Sequence, residues 1–194
     1  MAVLGANGAG KTTLLRLLAT LLRPHAGELA VLGHRLPAEN WAVRGQVGLL
    51  AHEPLLYREL TVRENLRLHA ALNGVRRSRI DELLECVGLA ARANEPLRTL
   101  SRGLLQRAAI CRVLLPDPEL LLLDEPYANL DPSARLAVEP LIGRGSGKTR
   151  VLVSHDPLAA LGEADLVLGL RRGHAAFLTA PGQLDESVIR ELYA

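Results

Sequence analysis

The chain has 194 residues, 48% hydrophobic and 23% charged. That suits one folded domain, or one domain with a small subdomain, and is too apolar for a disordered segment. Its 23 basic and 21 acidic residues leave a net charge of +2, and aromatics make up only 3%; both argue against a dedicated nucleic-acid binder.

No run reaches the ~18 apolar residues that span a bilayer, and Met1–Gly5 lack the basic-then-apolar order of a signal peptide. The expectation is a cytosolic chain, or one held at a membrane through a partner. Cys86 and Cys111 stand far apart without a histidine cluster, which fits two buried thiols better than a zinc or disulfide site.

In chain order, short apolar runs alternate with helical patterns, the rhythm of an α/β fold with a mostly parallel sheet. Ala2–Leu4 ends a strand, and Lys11–Leu22 follows as a helix. Leu29–Leu32 and Val47–Leu50 are further strands. Thr61–Leu72 is a helix whose Thr61 and Glu64 form a capping box. Ser78 caps a helix that runs to Val87 and stops at Gly88. Ser101 opens another, to about Leu115, ended by Pro116. Leu120–Leu123 is apolar at every position, as buried parallel strands are. Asp131 and Pro132 start a helix as N-cap and first-turn proline. Val151–Val153 and Leu166–Leu170 are strands, and a last helix begins near Leu184.

Gly5-Ala6-Asn7-Gly8-Ala9-Gly10-Lys11-Thr12 matches G-x-x-x-x-G-K-[ST] between a strand and a helix, the context a phosphate-binding P-loop requires. Backbone amides and the helix N-terminus would cradle phosphates, Lys11 would reach the β- and γ-phosphates, and the Thr12 hydroxyl would ligate Mg²⁺. Thr13 extends the set. A second cluster, Gly143-Arg144-Gly145-Ser146-Gly147-Lys148-Thr149, is one residue short and runs from helix to strand. It reads as a helix-stop loop.

Leu120–Leu123 delivers Asp124 and Glu125 at a strand end. There Asp124 can face the Mg²⁺ shell and Glu125 can polarise a water, which is the second half of an ATPase site.

The order of motifs resembles the nucleotide-binding subunit of ABC transporters, over residues 2 to about 172. Leu100-Ser101-Arg102-Gly103-Leu104-Leu105-Gln106-Arg107 resembles the family's LSGGQ-x-QR signature, with Arg102 and Leu104 as departures. Asn129-Leu130-Asp131 is similar to its D-loop, Val153-Ser154-His155-Asp156 to its switch histidine, and Leu60-Thr61-Val62-Arg63-Glu64-Asn65-Leu66 to its LTVxENL stretch. His52 stands where the family has the Q-loop glutamine. His52-Glu53-Pro54 together with Ser101-Arg102-Gly103 looks similar to the haem-exporter ATPase of cytochrome c maturation.

The resemblance implies a P-loop NTPase fold, RecA-like, with a core over 1–51 and 116–194 and a helical signature subdomain over about 52–115. It implies ATP and Mg²⁺ as ligands, Lys11, Glu125 and His155 in catalysis, and Thr12, Asp124 and His52 at the metal. It further implies nucleotide contacts from Ser101, Gly103, Gln106 and Asp131 across a dimer, and separate transmembrane permease subunits at the cytoplasmic face of the membrane.

The family carries roughly 25–30 residues before its P-loop strand, the size of a small subdomain. Here the P-loop begins at Gly5. A truncated antiparallel subdomain, no aromatic shelf for adenine, and an unpaired edge near Glu28–Leu32 are therefore expected. Drug- and antibiotic-resistance exporters, ABC ATPases of DNA or ribosomes, and a nucleotide-binding remnant without turnover remain open alternatives.

Overall fold

A strand whose every side chain is apolar can be covered on both faces, and Leu120–Leu123 becomes such a strand. The computed structural model describes residues 1–193. In it β1 (Ala2–Leu4) leads into α1 (Lys11–Leu18), and β2 (Leu29–Val31) and β3 (His34–Leu36) precede α2 (Asn40–Val43) and β4 (Val47–Leu50). Then come α3 (Val62–Asn73), α4 (Ser78–Cys86), α5 (Arg102–Leu114) and β5 (Leu120–Asp124). The remainder is α6 (Pro132–Ile142), β6 (Thr149–Val153), α7 (Pro157–Gly162), β7 (Val167–Arg171), β8 (His174–Thr179) and α8 (Glu186–Tyr193).

Six strands form one sheet in the order β4-β5-β6-β1-β7-β8. Neighbours from β4 to β7 are parallel, and β8 runs antiparallel to β7. Leu121 and Leu123 enter the core on the side of α3–α5, while Leu120 and Leu122 enter the core shared with α1. Burying a leucine contributes ~1.5–3 kcal/mol, so β5 alone anchors both layers. The fold is α/β with a mostly parallel sheet between helices, as expected. Among the described residues no helix is long and apolar enough to cross a membrane.

Several local expectations are corrected. The helix opened at Lys11 ends at Leu18, because Thr20 adopts a left-handed conformation (φ 61°). The Leu21 amide then bonds back to Arg16 and the Thr20 amide to Leu17, which closes a Schellman motif. The segment at Leu29–Val31 gains one partner, pairing antiparallel with β3 in a separate two-stranded sheet, and its other edge stays unpaired among the described residues. Ser78 is the first helical residue of α4, with Arg77 at the cap and no side-chain cap bond. Cys111 is buried but Cys86 is exposed. By contrast, the Thr61–Glu64 capping box forms with both of its bonds.

Candidate functional site

The turn between β1 and α1 is shaped by Gly10, whose φ of 106° caps α1 in a conformation that penalises any Cβ. Lys11 is buried to 8% exposure, and its ammonium donates to the carbonyls of Gly5 at 2.6 Å and Ala6 at 3.0 Å. The lysine is thus drawn across its own loop, with its charge beside the free amides of the helix start.

On β5, Asp124 is 7% exposed and accepts a hydrogen bond from the Thr12 hydroxyl at 3.1 Å. Two hard oxygens from distant segments meet there, which is the donor chemistry Mg²⁺ favours. Glu125 follows with φ 51°, a left-handed conformation unusual for a side chain with a Cβ. Its amide extends the sheet by donating to Val153 at 3.0 Å. Its Oε1 is buried without a hydrogen-bond partner, and the His155 Nε2 lies 3.6 Å away, beyond hydrogen-bond reach. Burial raises the Glu125 carboxyl above the ordinary carboxylate range; Asp124 adds to the rise and His155 opposes it.

These groups line one cavity of about 300 Å³, together with Asn7, Gly8, Thr13 and His52. Gly5, Ala6 and Ala9 frame the loop behind it. A glycine loop with a helix N-terminus, a lysine, paired oxygens and a partnerless carboxylate can bind a phosphate chain and activate a water beside it.

Ser101, Gly103, Gln106 and Asp131 are not in this cavity. Ser101 is exposed and caps α5 through the Leu104 amide at 3.4 Å. Asp131 caps α6 through the Ala134 amide at 2.8 Å. Gln106 is buried, and its amide donates to the carbonyls of Pro126 at 3.0 Å and Glu125 at 3.4 Å. A Cβ on Gly103 would stand 2.6 Å from the Asn129 carbonyl. That position needs glycine because the loop after Glu125 packs directly on α5.

Sequence reasoning passed over Tyr127, Arg135, Arg150 and Glu163, which cluster behind Glu125. Arg150 and Glu163 pair at 2.9 Å with side chains 8% and 14% exposed. Tyr127 donates to Glu163 at 3.4 Å, and the Arg135 guanidinium lies 4.6 Å from its ring centre. The available signal was faint: Tyr127 is one of only three tyrosines and lies two residues beyond Glu125.

Comparison with known proteins places this geometry among relatives. The family model described as ABC transporter matches residues 1–128. A daunorubicin resistance ATP-binding protein of Streptomyces coeruleorubidus is 44% identical, over 81% of this chain and 53% of its own length. An Fe(3+) ions import ATP-binding protein of Rhodococcus jostii is 38% identical, over 94% of this chain and 55% of its own. The chain therefore spans about half the length of these curated relatives. A solved dimeric ATP-binding cassette, in a post-hydrolysis state with ADP and Pi bound, superposes with a TM-score of 0.82. It is 27% identical, with 93% of this chain and 84% of that one covered.

Proposed function

The chain belongs to the ABC transporter family, and from that premise we propose that it is an ATP-hydrolysing subunit that drives export through separate membrane subunits. The observation that supports this most is the meeting of Thr12 with Asp124 at 3.1 Å, beside Glu125 and His155 in the cavity of the glycine loop. Residues 5–13 hold the triphosphate of ATP by backbone amides, and Lys11 turns from its loop carbonyls to the β- and γ-phosphates. Thr12 and Asp124, with His52 across the cavity, would hold Mg²⁺, which would neutralise charge on the phosphates. Glu125 takes the proton of the attacking water, a role its partnerless oxygen suits. His155 donates to the γ-phosphate.

We further infer that two such chains, or this chain and a paired ATPase subunit, close on each other. Ser101 and Gly103 of one then face the γ-phosphate held by the other, with Asp131 at the seam. Gln106 serves that site from behind, through the Glu125 backbone. Residues 1–51 with 116–194 act as the catalytic core and 52–115 as the helical subdomain. The subunit sits at the cytoplasmic face of a membrane beside its permease and engages no nucleic acid.

For cargo, a resistance-type exporter is the reading we favour, because the daunorubicin resistance protein is 44% identical and the iron importer 38%. Haem export rests on His52-Glu53-Pro54 and Ser101-Arg102-Gly103 alone and draws no support from these relatives.

The test is phosphate release from MgATP by the purified chain and by Glu125→Gln. The variant keeps shape and hydrogen bonding but loses the base, so turnover should fall by ~10²–10⁴ while nucleotide binding survives. Equal turnover in both proteins would remove Glu125 from this role.

A further inference from the structure

Glu125 holds a left-handed backbone that its own side chain disfavours, so its neighbours must impose that conformation. On one side the grip is visible in the signature helix: Gln106 donates to the Glu125 and Pro126 carbonyls, and Gly103 admits the Asn129 carbonyl. The Ala128 amide donates back to the Glu125 carbonyl at 3.1 Å, closing a turn over Pro126 and Tyr127. On the other side Tyr127 reaches from this turn into a buried charged network.

Its hydroxyl lies between two carboxylates. It donates to Glu163, and the Glu139 Oε2 nearby is buried with no hydrogen-bond partner. Burial, and after it these two acids, raise the phenol well above the ordinary tyrosine range, so it stays a neutral donor. Glu163 is itself fixed: Arg150 bonds its carboxylate at 2.9 Å, its backbone carbonyl at 2.9 Å, and the Ile142 carbonyl at 3.1 Å. Arg135 covers the ring face and approaches Glu163 at 4.0 Å, which holds the ring against rotation. A second cavity of about 350 Å³ separates this network from His155 and Ser154. Beside that void the turn is held by the buried Pro126 and by the Tyr127 ring against the core, and the phenol bond ties it to Glu163, just beyond α7.

We propose that Tyr127 is a positioning residue for the hydrolysis assigned above: through the Glu163–Arg150 pair it fixes the turn that aims the Glu125 carboxylate. This rests on the ATPase reading and adds to it a residue that touches neither nucleotide nor water. A misplacement of about 1 Å at a reacting group costs on the order of 10²-fold in rate, and the loss falls on turnover rather than on binding.

The test compares the parent with Tyr127→Phe, which keeps the ring and the Arg135 contact, and Tyr127→Leu, which removes both. The expected kcat falls about tenfold in the first and about 10²-fold in the second, with KM for ATP within about twofold of the parent in both. Hydrogen exchange should quicken at the amides of Glu125 and of residues 127–130 and stay unchanged in β5 and α1. A purely structural tyrosine would lower the melting temperature and leave kcat at low temperature intact, and that result would overturn the proposal. Equal kcat in Tyr127→Phe with normal exchange would overturn it as well. A parent without turnover would overturn the ATPase reading itself, and this role with it, so the two failures read differently.

Discussion

The chain contains two lysines, and each follows a glycine-rich turn and precedes a threonine, yet the two loops have opposite fates. Around Lys11 the chain passes from β1 into α1, so the free amides of a helix start converge on one point. Around Lys148 it passes from α6 into β6, and the helix end there presents carbonyls. Lys11 is buried in its loop and lines the cavity. Lys148 reaches across to Asp117 at 2.6 Å, a carboxylate whose side chain is 70% exposed. Composition is nearly the same in both. The direction of the chain decides which one can bind a phosphate.

The largest way to break this contrast is to exchange each lysine in turn. Lys11→Ala should lower ATP turnover by at least ~10²–10³, the worth of one charge-stabilising donor at a reaction centre, and weaken nucleotide binding. Lys148→Ala should leave turnover within about twofold. Phosphate-release assays on both variants decide this, and equal losses would end the distinction.

A finer comparison uses the glycines. Gly10 and Gly147 both have positive φ, 106° and 70°, and a Cβ would meet nothing closer than 3.6 Å at Gly10 and nothing within 4 Å at Gly147. Alanine at either site should therefore cost only the backbone penalty, ~1–2 kcal/mol, seen as similar losses in denaturant midpoint. Only Gly10→Ala should also weaken nucleotide affinity, because it turns the first amides of α1 away from the loop.

The smallest effect concerns acid. The hydrogen bond from Lys148 holds the Asp117 carboxyl below its usual range, with the charges of Lys148 and Arg79 assisting. A depressed carboxyl contributes stability above its unfolded value of ~3.9 and loses it as pH falls through the folded value. Asp117→Asn should thus lower stability at pH 7 by a few tenths of a kcal/mol, as for other exposed pairs. The difference from the parent should shrink as pH falls below the ordinary carboxylate range and through the lowered value of Asp117. A variant difference that persists in acid would assign the effect to packing instead.

What could be read from the sequence was what neighbouring residues decide. The loop at Gly5–Thr12, the capping box at Thr61 and Glu64, the apolar β5 and the proline start of α6 all depend on spacings of a few positions. The elements that escaped notice have no such local signal. β3 has three residues, α2 four and α7 six, and β8 is largely exposed, so it carries no apolar alternation. Thr20 closes a helix in a conformation usually left to glycine. In the candidate site, Asp124 and Glu125 stand out at the end of an apolar run, whereas the cluster behind Glu125 is assembled from positions 127, 135, 150 and 163. Those residues lie in α6, β6 and two connecting segments that meet only after folding.

The unequal burial of the two cysteines gives the molecule a single chemical handle. Burial against α4 pushes the thiol of Cys111, on α5, far above the pH at which thiols react. Cys86, exposed at the end of α4, remains open to a maleimide dye. Native protein should accept one label and denatured protein two. A fluorophore so placed would ride on α4, and would report the movement of that helix against the sheet without any engineered residue.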